Sequence, residues 1–371
     1  MEVLYFVFAC FMLLATVDRI IGNRFGLGKE MEKGVMLLGT MTLSMVGMIV
    51  LSPVIADLLL PVLEPLNRWI GLEPSVIMGS LFANDMGGAP LSLQTATSET
   101  AGYFNGLVVA SMLGATVSFT IPLALGVIDK KHHKDVALGM LCGIITIPIG
   151  CLVSGLILRM SVGELLRNLI PLAIFSGIIA VCLGLWQKAT VKVFTIFGKF
   201  VQILVAVGLA IGLFTFLTDI TVLKNAAPLM DGMNVVINAT AVMTGAFPLI
   251  WLLSKLLKKP LIFLGKFIGI NDVAAMGLVG CLATNVTTIG MVDGMNRKGI
   301  VLNMAFAVSG AFVFAGHLAF TVSMNPDYLL AVIIGKLVGG ITAVILANFV
   351  FSKAEKNTAA ENMPAEAQVE A

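Results

Sequence analysis

Apolar residues in this chain run in continuous stretches of about 20, separated by short polar segments. A helix needs about that length to cross the hydrocarbon of a bilayer, whereas a membrane β-strand alternates apolar and polar residues over about 10. The pattern therefore predicts an all-α polytopic membrane protein. About nine stretches are strong enough to be transmembrane helices: 3–21, 34–60, 103–128, 136–158, 169–186, 200–222, 233–254, 299–323 and 327–351.

Two further segments, 72–97 and 268–295, behave differently from these nine stretches. Each begins as a helix, breaks at a cluster of Gly, Asn and Thr, and then resumes weakly. In hydrocarbon every backbone N–H and C=O needs a partner, so such breaks persist only where they are buried in protein or line a cavity. We interpret both segments as re-entrant helical hairpins.

Composition and charge narrow the class and set an orientation. Of the 371 residues, 58 % are hydrophobic and 12 % charged, against roughly 25 % charged in a soluble domain. A cytosolic enzyme, an extracellular disulfide module and a disordered chain are excluded. The net charge of +2 says nothing about nucleic acid, since the Lys and Arg residues lie in short loops, and we expect no nucleic-acid partner. With the N-terminus outside and both hairpins returning, 18 of 23 Lys and Arg residues lie inside. We expect a multi-pass protein of the inner (cytoplasmic) membrane with its C-terminus inside.

The chain also resembles itself at an offset of 198 residues. Gly79 then matches Gly277, Asn105 matches Asn303 and Ser111 matches Ser309. Each copy holds one span, one hairpin and two more spans, an odd number of crossings, so equivalent copies must be inverted, as in many secondary transporters. The predicted organisation is 1–33 (first span and inner loop), 34–158 (repeat 1), 159–231 (two linking spans), 232–351 (repeat 2) and 352–371 (a disordered cytoplasmic tail).

The first hairpin breaks around a carboxylate. Asn84 and Asp85 are followed by Gly87 and Gly88, which permit backbone conformations that a helix does not allow, and Pro90 suits the start of a new helix. The preceding half-helix would direct the negative end of its dipole toward this point. The functional interpretation is a cation-binding Asp85, and the structural one is an Asp that caps the following half-helix.

Neutral polar residues mark the second break and the spans that follow the hairpins. Thr284 and Asn285 could hydrogen-bond a hydroxylated solute or satisfy their own broken backbone. The repeat-matched amides Asn105 and Asn303 are candidates for substrate binding or for contacts between helices.

Two basic residues lie within predicted spans. Lys336 needs a carboxylate, carbonyl groups or water, so a structural ion pair and a role in coupling or gating are both open. His317 is alone in an apolar span and is either packed with one satisfied nitrogen or part of the same coupling machinery. Pairs of glycines four residues apart, such as Gly335 and Gly339, predict close helix contacts.

A transporter is favoured over a membrane enzyme or a scaffold or sensor subunit. No metal-ligand spacing, phosphate loop or nucleophile motif is present, so we expect no cofactor and no catalytic residue. Two polar breaks at corresponding places in a repeat suit a transporter, and a scaffold has no use for them.

Several motifs resemble one family over nearly the whole chain. They are FANDMGGAPLS, SMLGATVSFTIPLALGVI, ALGMLCGIITIPIGC, GCLATNVTTIGM, NMAFAVSGAFVFAGHLAF and IIGKLVGGITA. In this order they resemble the EutH family, the ethanolamine transport proteins of ethanolamine-utilisation systems. The resemblance implies a membrane carrier or facilitator for ethanolamine.

The implied substrate is an ammonium ion with a hydroxyl group two carbons away. Asp85 with Asn84 is expected to hold the ammonium, and Phe82 or Phe104 to provide an aromatic wall. Asn285 with Thr284 is expected to meet the hydroxyl. We favour alternating access, in which one repeat rocks against the other around a midplane site. A channel for the neutral amine and a cation-coupled carrier of another small amino alcohol are the alternatives, and a homo-oligomer is left open.

Overall fold

In the computed structural model the backbone is described for residues 2–361. The side chains of residues 2–4, 254, 257–259, 261, 262, 264, 266 and 356–361 are outside this description. The described backbone consists of helices and the turns between them, with no strand. Its first half contains α1 (Glu2–Ile20), α2 (Leu27–Met41), α3 (Gly47–Ile70), α4 (Pro74–Leu81), α5 (Gly88–Thr95), α6 (Glu99–Tyr103), α7 (Ile121–Val127), α8 (His133–Ile157) and α9 (Val162–Leu185).

The second half begins with two long helices and ends with one. Its elements are α10 (Gln187–Thr218), α11 (Leu229–Phe267), α12 (Asp272–Cys281), α13 (Asn285–Gly290), α14 (Arg297–Gly310), α15 (Gly316–Met324) and α16 (Leu329–Glu361). Helix α16 extends through Glu361, so residues 352–361 of the predicted tail are helical, and residues 362–371 lie outside the described part of the chain.

Within the described residues, seven helical stretches are long and apolar enough to cross a membrane. They make the chain a multi-pass membrane protein, and each corresponds to one predicted span. They are Leu27–Ile70, Glu99–Val127, Lys130–Ile157, Val162–Leu185, Gln187–Thr218, Leu229–Leu253 and Pro326–Glu355. The predicted span 3–21 coincides with helix α1.

The predicted span 299–323 is not one continuous helix, and this expectation is corrected. Helix α14 ends at Gly310, helix α15 begins at Gly316, and the five residues between them form turns. The amides of Phe312 and Phe314 instead donate to the carbonyl oxygens of Cys281 and Leu282, at 3.2 and 3.0 Å. A break in an apolar segment persists here because neighbouring protein supplies the partners that the helix would have supplied.

Each predicted hairpin is a pair of short helices joined by a polar tip. In 72–97, α4 and α5 flank the tip, and buried Glu73 joins the two ends by accepting hydrogen bonds from Ser75 Oγ at 2.9 Å and from the Thr97 amide at 3.0 Å. In 268–295, α12 and α13 flank the tip, and Asn271 Nδ2 donates to the Gly294 carbonyl at 2.8 Å.

The helical stretch Glu99–Val127 lies at the centre of the protein. Of its most apolar window 83 % is buried, against 28–61 % for the other six stretches. Residues Phe104–Gly114 and Thr116–Thr120 are wound as wider π-helix, a form common at functional sites.

Helices α8, α14 and α16 pack closely through small residues. A Cβ atom at Gly335 would overlap Ser154 Oγ, and Ser154 Oγ itself donates to the Ala331 carbonyl oxygen at 2.8 Å. The predicted close contact at Gly335 and Gly339 is therefore present, and it holds Lys336 of α16 against the central π-helical stretch.

Candidate functional site

A cavity of about 180 Å³ lies where the tip of the first hairpin meets the π-helical stretch and the break between α14 and α15. A cavity of this size holds a small solute as well as water, since one water needs roughly 10–15 Å³. It brings together two residues that the sequence singled out, Asp85 and His317. Its full lining is Ser44, Ala83, Asp85, Met86, Ala115, Phe119, Phe312 and His317.

The tip of the first hairpin presents Asp85 on a single tight turn. Helix α4 ends at Leu81, and the Ala83 carbonyl oxygen accepts hydrogen bonds from the amides of Met86 at 3.0 Å and Gly88 at 2.8 Å. Gly87 has φ of +112°, a conformation that residues with a Cβ rarely adopt, so the predicted need for glycine at this position is met. No ion pair with the Asp85 carboxylate occurs among the residues the structure describes.

The same tip is anchored to the π-helical stretch. The Ala83 amide donates to Ser118 Oγ at 3.1 Å, and Ser118 Oγ donates to the Gly114 carbonyl oxygen at 2.7 Å. A Cβ atom at Gly114 would overlap the Phe82 carbonyl oxygen, and one at Gly88 would meet the same oxygen. The end of α4 therefore lies directly on the backbone of the central helix.

Asn84 is the least satisfied residue at the tip. Its side chain is 0 % exposed, and neither its amide nitrogen nor its oxygen has a hydrogen-bond partner among the described residues. A buried amide in this state is normally paired by water or a ligand. Asn84 is not among the cavity-lining residues, although it adjoins Ala83 and Asp85, which are.

The break between α14 and α15 supplies the opposite wall. Phe312 has φ of +61°, which is unusual for a residue with a bulky side chain. Its ring packs against Phe119 with centroids 6.0 Å apart and against the His317 ring at 4.9 Å. Two aromatic rings and one imidazole thus line the cavity that Asp85 enters.

Lys336 lies behind His317 and is fully buried. Its Nζ donates to the Ser111 carbonyl oxygen at 2.6 Å and lies 3.2 Å from His317 Nδ1. The predicted need for a carbonyl partner is met by Ser111, and His317 is not isolated, since one of its nitrogens faces a lysine.

The second hairpin places its polar residues elsewhere. Asn285 is buried and donates from Nδ2 to Thr120 Oγ1 at 2.9 Å, while Thr284 accepts from the Val286 amide at 3.2 Å and so begins α13. Neither residue lines the cavity of Asp85. Thr284 therefore acts as an N-cap, and Asn285 connects the second hairpin to the π-helical stretch.

The three remaining predicted site residues also lie away from the cavity lining. Phe82 packs edge-on against Phe197, with centroids 5.3 Å apart. Asn105 Nδ2 donates to Ser75 Oγ at 2.8 Å, and Asn303 Nδ2 donates to the Ala274 carbonyl oxygen at 2.9 Å. Each of these matched amides thus ties the first turn of a hairpin to the span that follows it.

Sequence reasoning missed the aromatic pair Phe119 and Phe312. Both stand in apolar runs that resemble any other buried segment, so hydropathy gives no signal for them. The flanking glycines Gly310 and Gly316 were the available hint, because they bracket the break in α14–α15. No group of three or more His, Cys, Asp or Glu that could hold a metal is found in the described part of the chain.

Comparison with known proteins assigns a family. A profile of the family described as ethanolamine utilisation protein EutH matches residues 1–350. The probable ethanolamine permease EutH of Listeria monocytogenes is 42 % identical over 366 residues, 98 % of each chain. The probable ethanolamine permease EutH of Salmonella typhimurium is 35 % identical, with 95 % of this chain and 96 % of that one covered. The uncharacterized protein YxeR of Bacillus subtilis is 37 % identical, with 93 % and 94 % covered. No solved structure matches. The chain belongs to the EutH family.

Proposed function

We propose that this protein is a membrane transporter that moves ethanolamine, as its ammonium ion, through the cavity at Asp85. The observation that carries the proposal is that one small cavity combines two aromatic rings, Phe119 and Phe312, with a carboxylate that forms no ion pair within the described part of the chain. A carboxylate and aromatic faces are the groups that attract an organic ammonium. The names of the Listeria and Salmonella relatives support ethanolamine as the substrate.

The other end of the substrate is a hydroxyl group, and the proposal assigns it to Ser44. Ser44 lines the cavity, and its hydroxyl donates weakly to the Met41 carbonyl oxygen at 3.3 Å, which leaves its oxygen able to accept. The buried amide of Asn84, which has no hydrogen-bond partner among the described residues, lies next to Asp85 along the chain and is a second candidate for this contact. Asn285 and Thr284 then support the second hairpin and do not contact substrate.

The proposed mechanism is alternating access between two inverted repeats, 34–158 and 232–351. The cavity walls come from both of them, with Asp85 and Phe119 from the first and Phe312 and His317 from the second. A site between repeats is where relative rocking opens one side and closes the other. The charge asymmetry of the loops supports nine spans in the cytoplasmic membrane, an outside N-terminus and an inside C-terminus.

Counterflow of labelled ethanolamine into proteoliposomes tests the proposal. The wild type should accumulate label against a preloaded internal pool and saturate. Asp85→Asn should lose at least about 30-fold in rate at low substrate, because losing a buried charge-assisted contact costs about 2 kcal/mol or more. Asp327→Asn is the matched control, since Asp327 is exposed and lies away from the cavity.

Two outcomes would contradict the proposal. Normal counterflow by Asp85→Asn would remove the carboxylate from the site. Uptake that never saturates, rises with pH and ignores the mutation would indicate a pore for the neutral amine.

A further inference from the structure

Among the described residues, Lys336 is the one Lys or Arg whose side chain is 0 % exposed. His317 lies between it and the cavity of the proposed site. Lys336 Nζ has two neighbours within hydrogen-bond distance, the Ser111 carbonyl oxygen at 2.6 Å and His317 Nδ1 at 3.2 Å. In the described chain no carboxylate forms an ion pair with it. A charged Lys336 ammonium is therefore stabilised by one carbonyl dipole and one imidazole nitrogen, which offset little of the free energy of hydration that it loses on burial.

The groups that face Lys336 come from four elements. Asp85 on the first hairpin is within electrostatic reach, as are Cys151 on α8 and Cys281 at the end of α12. His317 on α15 is the neighbour that hydrogen-bonds directly. Of these groups Asp85 is the one carboxylate, so Lys336 and a bound ammonium ion would share the same counter-charge.

His317 connects Lys336 to the cavity. Its ring lines the cavity beside Asp85 and Phe312, while its Nδ1 faces Lys336 on the other side. An imidazole that accepts a hydrogen bond at Nδ1 carries its proton at Nε2. Such a ring can take a proton at one nitrogen and release one from the other.

We propose that Lys336 holds a proton in the substrate-free cavity and loses it through His317 when an organic ammonium binds at Asp85. The Lys336 ammonium gives its proton to His317 Nδ1, and the Nε2 proton passes to water in the cavity. Lys336 is left as a neutral amine, and the imidazole is left neutral with its proton on Nδ1. The steps reverse when the ammonium departs.

The physical reason is the cost of two cations beside one buried carboxylate. In a low dielectric medium their mutual repulsion is not screened. If one proton leaves as one ammonium ion arrives, the site keeps zero net charge in both states. Transport then exchanges a proton for each ammonium ion and moves no net charge across the membrane. This inference rests on the proposed function and adds its coupling.

Proton release on binding tests the inference directly. The purified protein in weak buffer, with a pH indicator dye, is mixed with ethanolamine. We expect one proton released per molecule bound by the wild type and by Lys353→Met, an exposed lysine on the same helix. Lys336→Met should bind and release none. Release that persists in Lys336→Met would come from Asp85 or from the substrate, and would overturn the assignment of the released proton to Lys336.

A second readout uses the membrane potential. Uptake into proteoliposomes by the wild type should be indifferent to an inside-negative potential set with potassium and valinomycin. Uptake by Lys336→Met should become driven by that potential, because the ammonium charge then crosses uncompensated. Wild-type uptake that follows the potential overturns the inference.

A further variant guards against a folding defect in Lys336→Met. His317→Gln keeps a polar side chain beside Lys336 but cannot pass a proton, so at ethanolamine concentrations that saturate this variant's own binding, proton release should lag behind binding by at least about tenfold in rate. Unchanged release in His317→Gln would contradict the relay. A wild type that binds ethanolamine through Asp85 without releasing protons refutes the coupling alone, whereas one that binds no ethanolamine refutes the proposed function as well.

Discussion

The two hairpins meet the helices that follow them in different ways. At the first, the Phe82 carbonyl oxygen lies so close to Gly114 that no Cβ atom fits between them, and the π-helical stretch runs past without interruption. At the second, the carbonyl oxygens of Cys281 and Leu282 accept hydrogen bonds from Phe312 and Phe314, and the following helix is open from 311 to 315.

One position accounts for much of this difference. The 198-residue offset that aligns Asn105 with Asn303 also aligns Gly114 with Phe312. Glycine lets two backbones touch while the helix continues, whereas at Phe312 the chain leaves the helix and meets the hairpin through backbone hydrogen bonds. The opened chain then donates its amides to the hairpin. The cavity accordingly takes Asp85 and Phe119 from the first half of the chain and Phe312 and His317 from the second.

The largest effect is expected from Gly114→Ala, which removes the close backbone contact that distinguishes the first hairpin from the second. The added Cβ atom would overlap a backbone oxygen that cannot rotate away, so we expect a loss of about 3 kcal/mol in the free energy of unfolding. Thermal unfolding in nanodiscs measures it. Gly126→Ala, in the same helical stretch, is the control, because nothing lies within 4 Å of a Cβ atom there. Equal stability of the two variants would mean that the close contact at Gly114 is not needed.

Ser118→Ala tests how the tip of the first hairpin is held. Ser118 Oγ is the acceptor for the buried Ala83 amide at 3.1 Å. Without it that amide loses its partner, so we expect about 1–2 kcal/mol of destabilisation together with weaker ethanolamine binding. Ser323→Ala is the control, since Ser323 Oγ only donates to a carbonyl of its own helix, Ala319, at 2.8 Å. The idea fails if Ser118→Ala retains wild-type stability and binding.

Asp293→Asn has the smallest expected effect and tests an ion pair that connects the second hairpin to the first half of the chain. Asp293 lies at the end of the second hairpin. It pairs with Lys131 and His132, both at 3.1 Å, in the loop that follows the helical stretch Glu99–Val127. The hydrogen bond and charge of Lys131 hold the pKa of the Asp293 carboxyl below its usual value of 3.8. A lowered pKa in the folded protein gives stability above pH 3.8 that is lost as the pH falls through the folded value.

The measurement for Asp293 is the difference in thermal midpoint between wild type and Asp293→Asn as the pH is lowered from neutrality. We expect a small difference in favour of the wild type, which disappears in acid and shrinks with added salt because the pair is exposed. Asp327→Asn should show no such difference. A difference that grows in acid would reverse the assigned sign.

Much of the helical pattern follows from the sequence because a span must be apolar over a fixed length. The hairpins follow as well, since polar clusters such as the one at Asp85 are costly in hydrocarbon unless the chain folds around them. Asp85, His317 and Lys336 stand out for the same reason, and the structure brings them to one place.

The break at 311–315 and its aromatic wall could not be predicted this way. Residues 311–315 are all apolar, and the partners of the opened backbone are the carbonyl oxygens of Cys281 and Leu282, 31 and 32 residues earlier in the chain. The hydrogen bond between Asn285 and Thr120 escapes sequence reasoning for a similar reason, because only the folded chain shows which side chain is the partner. Hydropathy reports the free-energy cost of burying a polar group. It does not show which distant residue offsets that cost by forming a hydrogen bond.

The backbone partners of the two breaks also set an order for biosynthesis. The carbonyl oxygens of Cys281 and Leu282 lack their partners until Phe312 and Phe314 are made, 31 and 32 residues later. The Ala83 amide likewise waits for Ser118, which is made 35 residues later. Each hairpin must therefore stay hydrated or shielded by the insertion machinery until the next segment arrives, and an arrest of translation in either interval should leave that hairpin open to attack by a protease.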